Sequence, residues 1–214
     1  MLKEDQRMKK IWQPGTLALG ICFLFALIVS CTRIPQVNVL YRLPPQKTDL
    51  KDLKVFLSFK DQRANKDFLG PGAKADYKNF SENFSFSVAT GTDQGFRIGI
   101  FDLPTLIMET FKRRLEYEGI TVLKEVGGED AEMVIVLKEF LLDKVDWNWV
   151  FKMSYEAELE KDGRMLTKQT FSGEAERFKL VGTKEADTVM GETYTELVNQ
   201  LNVKRLFQQG GLIK

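Results

Sequence analysis

Every second residue from Val145 to Leu159 is apolar. Val145, Trp147, Trp149, Phe151, Met153, Tyr155, Ala157 and Leu159 share one parity, while Lys152, Glu156, Glu158 and Glu160 hold the other. Period-two alternation of this length predicts a strand with one buried and one wetted face. Lys161-Asp162-Gly163-Arg164 follows, and Asp-Gly accepts the positive φ of a type I′ turn. The chain then returns through Met165 to about Phe178. A long antiparallel ribbon results, and other elements must cover its apolar face.

The rest of the chain supplies candidates for that cover. Leu53, Val55, Leu57 and Phe59 alternate as a strand that ends at Asp61-Gln62-Arg63. Phe84 to Val88 alternates likewise, Gly91 to Gly95 has turn chemistry, and Phe96 to Phe101 can return beside it. Asp102 is placed to cap a helix with Pro104 in its first turn and Leu103, Leu106, Ile107, Phe111 and Leu115 on one stripe; Gly119 ends it. Ile120 to Val126 reads as a short strand and Gly127 to Asp130 as a turn. Ala131 to Leu142 is nearly continuously apolar, as a central strand buried on both faces requires. Thr183 precedes a second helix with Met190, Tyr194, Leu197 and Leu201 on its stripe, which ends before Gly210-Gly211. The order predicts an α+β fold: a mainly antiparallel sheet with two helices packed on one face. The length of 214 residues suits one such domain, expected over 52–214, plus an appendage.

That appendage carries an address. Residues 16–29 read TLALGICFLFALIV, an uncharged run of fourteen behind Lys9 and Lys10, and short for a membrane span of roughly 20 residues. A basic start, an apolar middle and a small residue before a cut site make a cleaved signal peptide over 1–30, with Met8 as an alternative start. Ile28-Val29-Ser30-Cys31 resembles the lipobox of bacterial lipoproteins. That resemblance implies diacylglycerol on the Cys31 thiol, cleavage before it, and acylation of the new amino group by a fatty acid such as palmitate. Thr32 rather than Asp follows, which by likeness to enterobacterial lipoproteins implies the outer membrane of a Gram-negative cell, with the domain in the periplasm. Residues 31–51, with Pro35, Pro44 and Pro45, read as the lipidated cysteine and an extended tether.

Charge and composition narrow the function. The whole chain is at +1, and removing residues 1–30 leaves 27 basic and 28 acidic residues, a net −1. Such balance gives no electrostatic reason to bind nucleic acid or lipid headgroups. There is no histidine, which excludes Ser-His-Asp and Cys-His catalysis and every metal site that needs an imidazole. Cys22 leaves with the signal and Cys31 takes lipid, so neither a disulfide nor a free thiol is expected in the mature chain. The expectation is a non-enzyme with no metal and no cofactor beyond the covalent lipid.

With its lipobox, its proline-containing tether and a strand ending in Asp61-Gln62-Arg63, the chain resembles the YajG-type lipoproteins of Gram-negative bacteria. Gly119 before Ile120-Thr121-Val122, the Asp162-Gly163 hairpin, Phe171-Ser172-Gly173 and the terminal helix carry the same likeness. It departs between Ala64 and Phe101, where this chain is longer and richer in Phe and Gly. The resemblance implies a compartment and a fold more than an activity.

Three candidate sites stand out, each with a structural alternative. Asp61 and Arg63 are either a ligand-binding pair or a turn former and its ion-pair partner. Trp147 and Trp149 either stack on a ligand or anchor a partner, or belong to the core with Phe151. Phe80, Phe84 and Phe86, with Phe96, either form a docking surface on a long loop or pack an extra hairpin. The pieces Gly70-Pro71-Gly72 and Gly91 to Gly95 match no phosphate-binding fingerprint. The predicted function is a lipid-anchored envelope lipoprotein that binds or scaffolds other envelope proteins, through the 64–101 segment. The alternative is an auxiliary lipoprotein of an ABC-type lipid or solute transport system, and a carboxylate or Ser/Lys hydrolase is a third class.

Overall fold

The structure is a computed structural model and describes residues 36–46, 50–125, 127 and 130–214. The predicted signal peptide (1–30), Cys31 and Thr32 lie outside the described residues. In chain order the elements are β1 (Val37–Leu43), β2 (Lys54–Asp61), α1 (Pro71–Lys74), β3 (Phe84–Thr90), β4 (Phe96–Phe101), α2 (Leu103–Tyr117), β5 (Thr121–Leu123), β6 (Ala131–Val145), β7 (Asn148–Lys161), β8 (Arg164–Phe178), α3 (Lys184–Gln200) and α4 (Val203–Gln209).

The fold is α+β, built on two mixed sheets rather than one. The larger runs β5-β2-β6-β7-β8, with β2 parallel to β5 and β6 and antiparallel pairing from β6 to β8. The ribbon read from the alternation is its backbone: Leu159 faces Met133, Ala157 faces Ile135, and Tyr155 faces Leu137 on β6 and Phe171 on β8. A bulge between Leu137 and Glu139 shifts the parity of β6, so Phe140 and Leu142 continue the inner face that Met133, Ile135 and Leu137 began. The outer face is a lattice of charges, in which Lys60 meets Glu160 and both Lys138 and Lys168 meet Glu156.

The smaller sheet has the order β1-β3-β4, with β1 parallel to β3 and β4 antiparallel to it. Its rings meet those of the larger sheet, Phe84 lying 6.1 Å from Phe140 and Phe140 lying 5.2 Å from Phe151. Helix α2 starts as predicted, with Asp102 accepting from the Thr105 N–H at 3.0 Å, and it buries Leu106, Ile107, Phe111 and Leu115 completely. Helix α3 buries Met190, Tyr194 and Val198. The expected single terminal helix breaks at Leu201-Asn202, because the Asn202 side chain caps a new turn by accepting from the Arg205 N–H at 2.9 Å.

The tether is the largest correction. Residues 37–43 are a strand, with Val37, Val39 and Tyr41 fully buried. The prolines at 35, 44 and 45 bracket this strand instead of interrupting it. Its outer edge is held by α3 in place of a further strand. Asp187 accepts from the Asn38 N–H at 3.0 Å, Thr195 Oγ1 accepts from the Arg42 N–H at 3.1 Å and donates to the Leu40 carbonyl at 3.2 Å, and Asn199 Nδ2 donates to the Arg42 carbonyl at 2.9 Å. Gly191 permits the approach, since a Cβ there would stand 3.2 Å from the Leu40 oxygen.

Candidate functional site

The three sequence candidates have different fates. Asp61 and Arg63 do meet, Arg63 donating from Nε at 3.1 Å and from Nη2 at 3.0 Å to the two carboxylate oxygens, with Lys66 Nζ 3.1 Å away. Burial alone would raise the Asp61 pKa, but the hydrogen bonds from Arg63 and Lys66 outweigh it and hold the group at about 2. Asp61 also accepts from the Arg63 N–H at 3.1 Å, so the pair closes the turn that ends β2. Arg63 is itself only 8% exposed. This arrangement locks a loop, while Arg63 also lines a groove of about 310 Å³ with Lys66, Glu82 and Asp102, and its Nη1 has no hydrogen-bond partner among the described residues.

Phe80, Phe84 and Phe86 do not form an exposed surface. Phe84 and Phe86 are buried on β3, and Phe80 packs against the core. Phe68 is the organiser of this cluster, 4.8 Å from Phe84 and 5.6 Å from both Phe80 and Phe140. The long loop holds position because Phe68 and Gly70 pair with Leu142, where β6 has run past the end of β2. Gly70-Pro71-Gly72 belongs to the same junction, as a Cβ on Gly70 would collide with the Asp143 carboxylate. Asp143 in turn accepts from the Gly72 and Ala73 N–H groups at the start of α1.

The two tryptophans separate. Trp149 is wholly buried, 5.8 Å from Tyr77, with Lys179 Nζ 5.4 Å above its ring. Trp147 is 71% exposed, because Asp146-Trp147 is a two-residue turn between β6 and β7 instead of a continuation of β7. Around it stand Val145 and Phe178, which flank Asn148 in adjacent strands, and then Leu180 and Val181. The Lys179 N–H donates to the Trp147 carbonyl at 2.7 Å, tying the turn to this second segment. Sequence reasoning missed Phe178, Leu180 and Val181. The available signal was a run of large apolar residues continuing after the alternation of β8 had ended.

A second exposed surface lies within the 64–101 segment. Strand β4 is at the end of its sheet, so one of its edges has no strand partner among the described residues. Phe96 and Ile100 on β4 are 63% and 47% exposed. An open edge with apolar side chains is a template for an added strand.

Two further grooves bear on catalytic or acyl-binding character. One, of about 580 Å³, is lined by Pro44, Leu50 and Asn199 and floored by the buried ion pair of Arg114 and Glu118. The other, of about 460 Å³, runs between β1 and α3 past Leu40, Arg42, Asp187 and Glu192. Burial pushes the Asp187 carboxyl up while the hydrogen bonds from Asn38 pull it back, and both oxygens are engaged in holding β1. Charged and amide groups share both grooves with apolar surface, from Pro44, Pro45, Leu50, Leu201 and Val203 in the first and Leu40 in the second, and the exposed lining of each is more apolar than polar. Among the described residues no cluster of three or more Cys, Asp or Glu is arranged to hold a metal ion, and no helix is long and apolar enough to cross a membrane.

No family model matches the chain, and no curated protein matches it. Among solved structures, a protein from Xanthomonas campestris assigned to family-model DUF330 superposes with a TM-score of 0.53 at 14% identity, over 85% of this chain and all of that one. A lipoprotein from Neisseria meningitidis gives a TM-score of 0.29 at 15% identity, over 69% of this chain and 96% of that one. The first likeness shows a common fold. The second is too distant to carry an argument.

Proposed function

We propose that this protein is a lipid-anchored lipoprotein of a Gram-negative envelope, without catalytic activity, that holds a protein partner against the β4 edge. The anchor rests on the apolar run that ends in Ile28-Val29-Ser30-Cys31, with a basic start and the small residue required before the cut. The YajG-type motifs support the same compartment, and Thr32 supports the outer membrane with the domain in the periplasm. The partner rests on the open edge of β4 with Phe96 and Ile100 exposed along it. This keeps the 64–101 segment as the docking region while moving the contact from Phe80, Phe84 and Phe86 to the strand that follows them.

Mass spectrometry of the mature N-terminus tests the anchor. The expected peptide begins at Cys31 and carries diacylglycerol and an amide-linked acyl chain. An unmodified peptide beginning elsewhere overturns it. For the partner, Phe96→Ser with Ile100→Ser should abolish co-purification of a bound protein from detergent-solubilised envelope while circular dichroism stays at wild type. Co-purification that survives this double change removes β4 from the contact. The transport-auxiliary reading would require a groove suited to an acyl chain, and both grooves carry charged side chains within their largely apolar lining, Arg114 and Glu118 in one and Arg42, Asp187 and Glu192 in the other.

A further inference from the structure

The exposed apolar residues around Trp147 are gathered at one end of the fold, and the chain enters the fold at that same end. Trp147 is 71% exposed, Phe178 59%, Leu180 66% and Val181 92%. Helix α3 begins at Lys184, three residues after Val181, and its first turn grips the start of β1 through Asp187 and Asn38. Farther on, Thr195 and Asn199 meet Arg42, so β1 and α3 run side by side from a common starting end. Residues arriving from Cys31 must therefore join the domain beside Phe178, Leu180, Val181 and Trp147.

The covalent distance is short. Five Cα–Cα steps separate Cys31 from Gln36, a reach of roughly 18 Å when fully extended. Strand β7 has 14 residues, so the Asp162-Gly163 turn at its far end lies about 45 Å from Trp147 at strand rise. A lipid on Cys31 thus keeps the point of entry, beside Trp147, within that reach of the headgroups, a limit that the far end of β7 does not share. Tryptophan with aliphatic neighbours at an apex is the composition found at the boundary between headgroups and acyl chains.

We infer that the apex formed by Trp147, Phe178, Leu180 and Val181 dips into the surface of the phospholipid bilayer to which Cys31 is anchored, as a second, protein-borne contact. The inference rests on the lipid-anchor reading above. The attraction is apolar rather than electrostatic. Lys144 and Lys179 both pair with Asp76, Arg177 pairs with Glu192, and the mature chain is at −1. Neutral lipid is therefore sufficient. Beyond attachment, the contact sets an orientation, with the long axis of β7 standing away from the membrane.

The test uses the full chain, processed in a bacterial envelope and reconstituted into phosphatidylcholine vesicles whose acyl chains either carry bromine or do not. Subtracting the emission of a Trp147→Phe variant isolates the Trp147 signal from that of Trp149. The expected result is loss of the Trp147 emission in brominated vesicles together with resistance to aqueous iodide. Leu180→Asp with Val181→Asp, at two exposed positions, should restore iodide access with unchanged circular dichroism. Trp147 emission that iodide quenches and brominated lipid does not, in a chain that mass spectrometry shows to be lipidated, overturns the contact and leaves the anchor standing. Protection from iodide in native envelopes but not in pure lipid assigns the apex to a protein partner and overturns the membrane contact. A mature N-terminus without lipid overturns the anchor, and with it this inference.

Discussion

The two turns at the ends of β7 have equal length and opposite character. Asp162-Gly163 has positive φ at both positions, 52° and 71°, as a type I′ turn requires. Asp146-Trp147 has positive φ at Asp146 alone, 53°, the pattern of a type II′ turn. The first places two small polar residues at its tip, and the second places a large ring in solvent. The second is also clamped from below: Lys144, just before the turn, and Lys179, bonded to its carbonyl, both reach Asp76. One turn reverses the chain at the least conformational cost. The other is built to hold Trp147 outward on a fixed support.

Several substitutions sharpen the contrast. The largest effect is expected just after the second turn, on β7, where Trp149→Ala should cost about 3–5 kcal/mol in chemical denaturation, because a fully buried ring is lost. A cost below about 1 kcal/mol would show that Trp149 is not core. Next comes the clamp. Burial would raise the Asp76 pKa, but the hydrogen bonds from Lys144 and Lys179 hold it below the ordinary aspartate range. Its contribution is therefore complete above that range and is lost as pH falls through the folded-state value. Asp76→Asn should cost about 2 kcal/mol at neutral pH and flatten the acid limb of a stability–pH curve; an unchanged limb would remove the clamp from the account.

Smaller effects belong to the turns themselves. Gly163→Ala should cost about 1–2 kcal/mol, since a Cβ is strained at that φ although open space surrounds it. Asp146→Gly should instead stabilise by up to about 1 kcal/mol, by relieving the same strain at the other end. Equal signs for these two changes would break the comparison. Trp147→Ser should move the midpoint least, within about 0.5 kcal/mol in solution, although its neighbour of the same type two residues away is indispensable.

These turns also mark how far the sequence could be read. Asp-Gly is legible because glycine accepts left-handed φ without steric cost, whereas Asp146-Trp147 hides in an apolar alternation whose parity Trp147 continues. Core elements with strong periodicity, such as α2 with its Asp102 cap and Gly119 stop, were readable from local pattern alone. The bulge of β6 at Lys138 was not, since Val134 and Val136 are as apolar as Met133, Ile135 and Leu137 and leave no parity for the adjacent Lys138-Glu139 to break. Strand β1 is hard to read because prolines flank it closely and favour extended, unpaired chain, although Val37, Val39 and Tyr41 alternate within it. Its partners, the side chains of Asp187, Thr195 and Asn199, come from a helix some 150 residues later, and no local signal announces such a contact. At the candidate surfaces, Trp147 was singled out for its type, but its exposure depends on a turn that only the folded chain reveals.

Strand β1 has a mechanical consequence. Any tension arriving through residues before Gln36 enters the body at Val37 and runs along the strand axis. The seven register pairs with β3 on one side, and the Asn38, Leu40 and Arg42 contacts to α3 on the other, then resist as a group in shear rather than peeling one at a time. Each bond alone is worth only about 1 kcal/mol, yet a sliding failure must break most of them in a single step. A pull directed along β1 from its first residue therefore loads these contacts together.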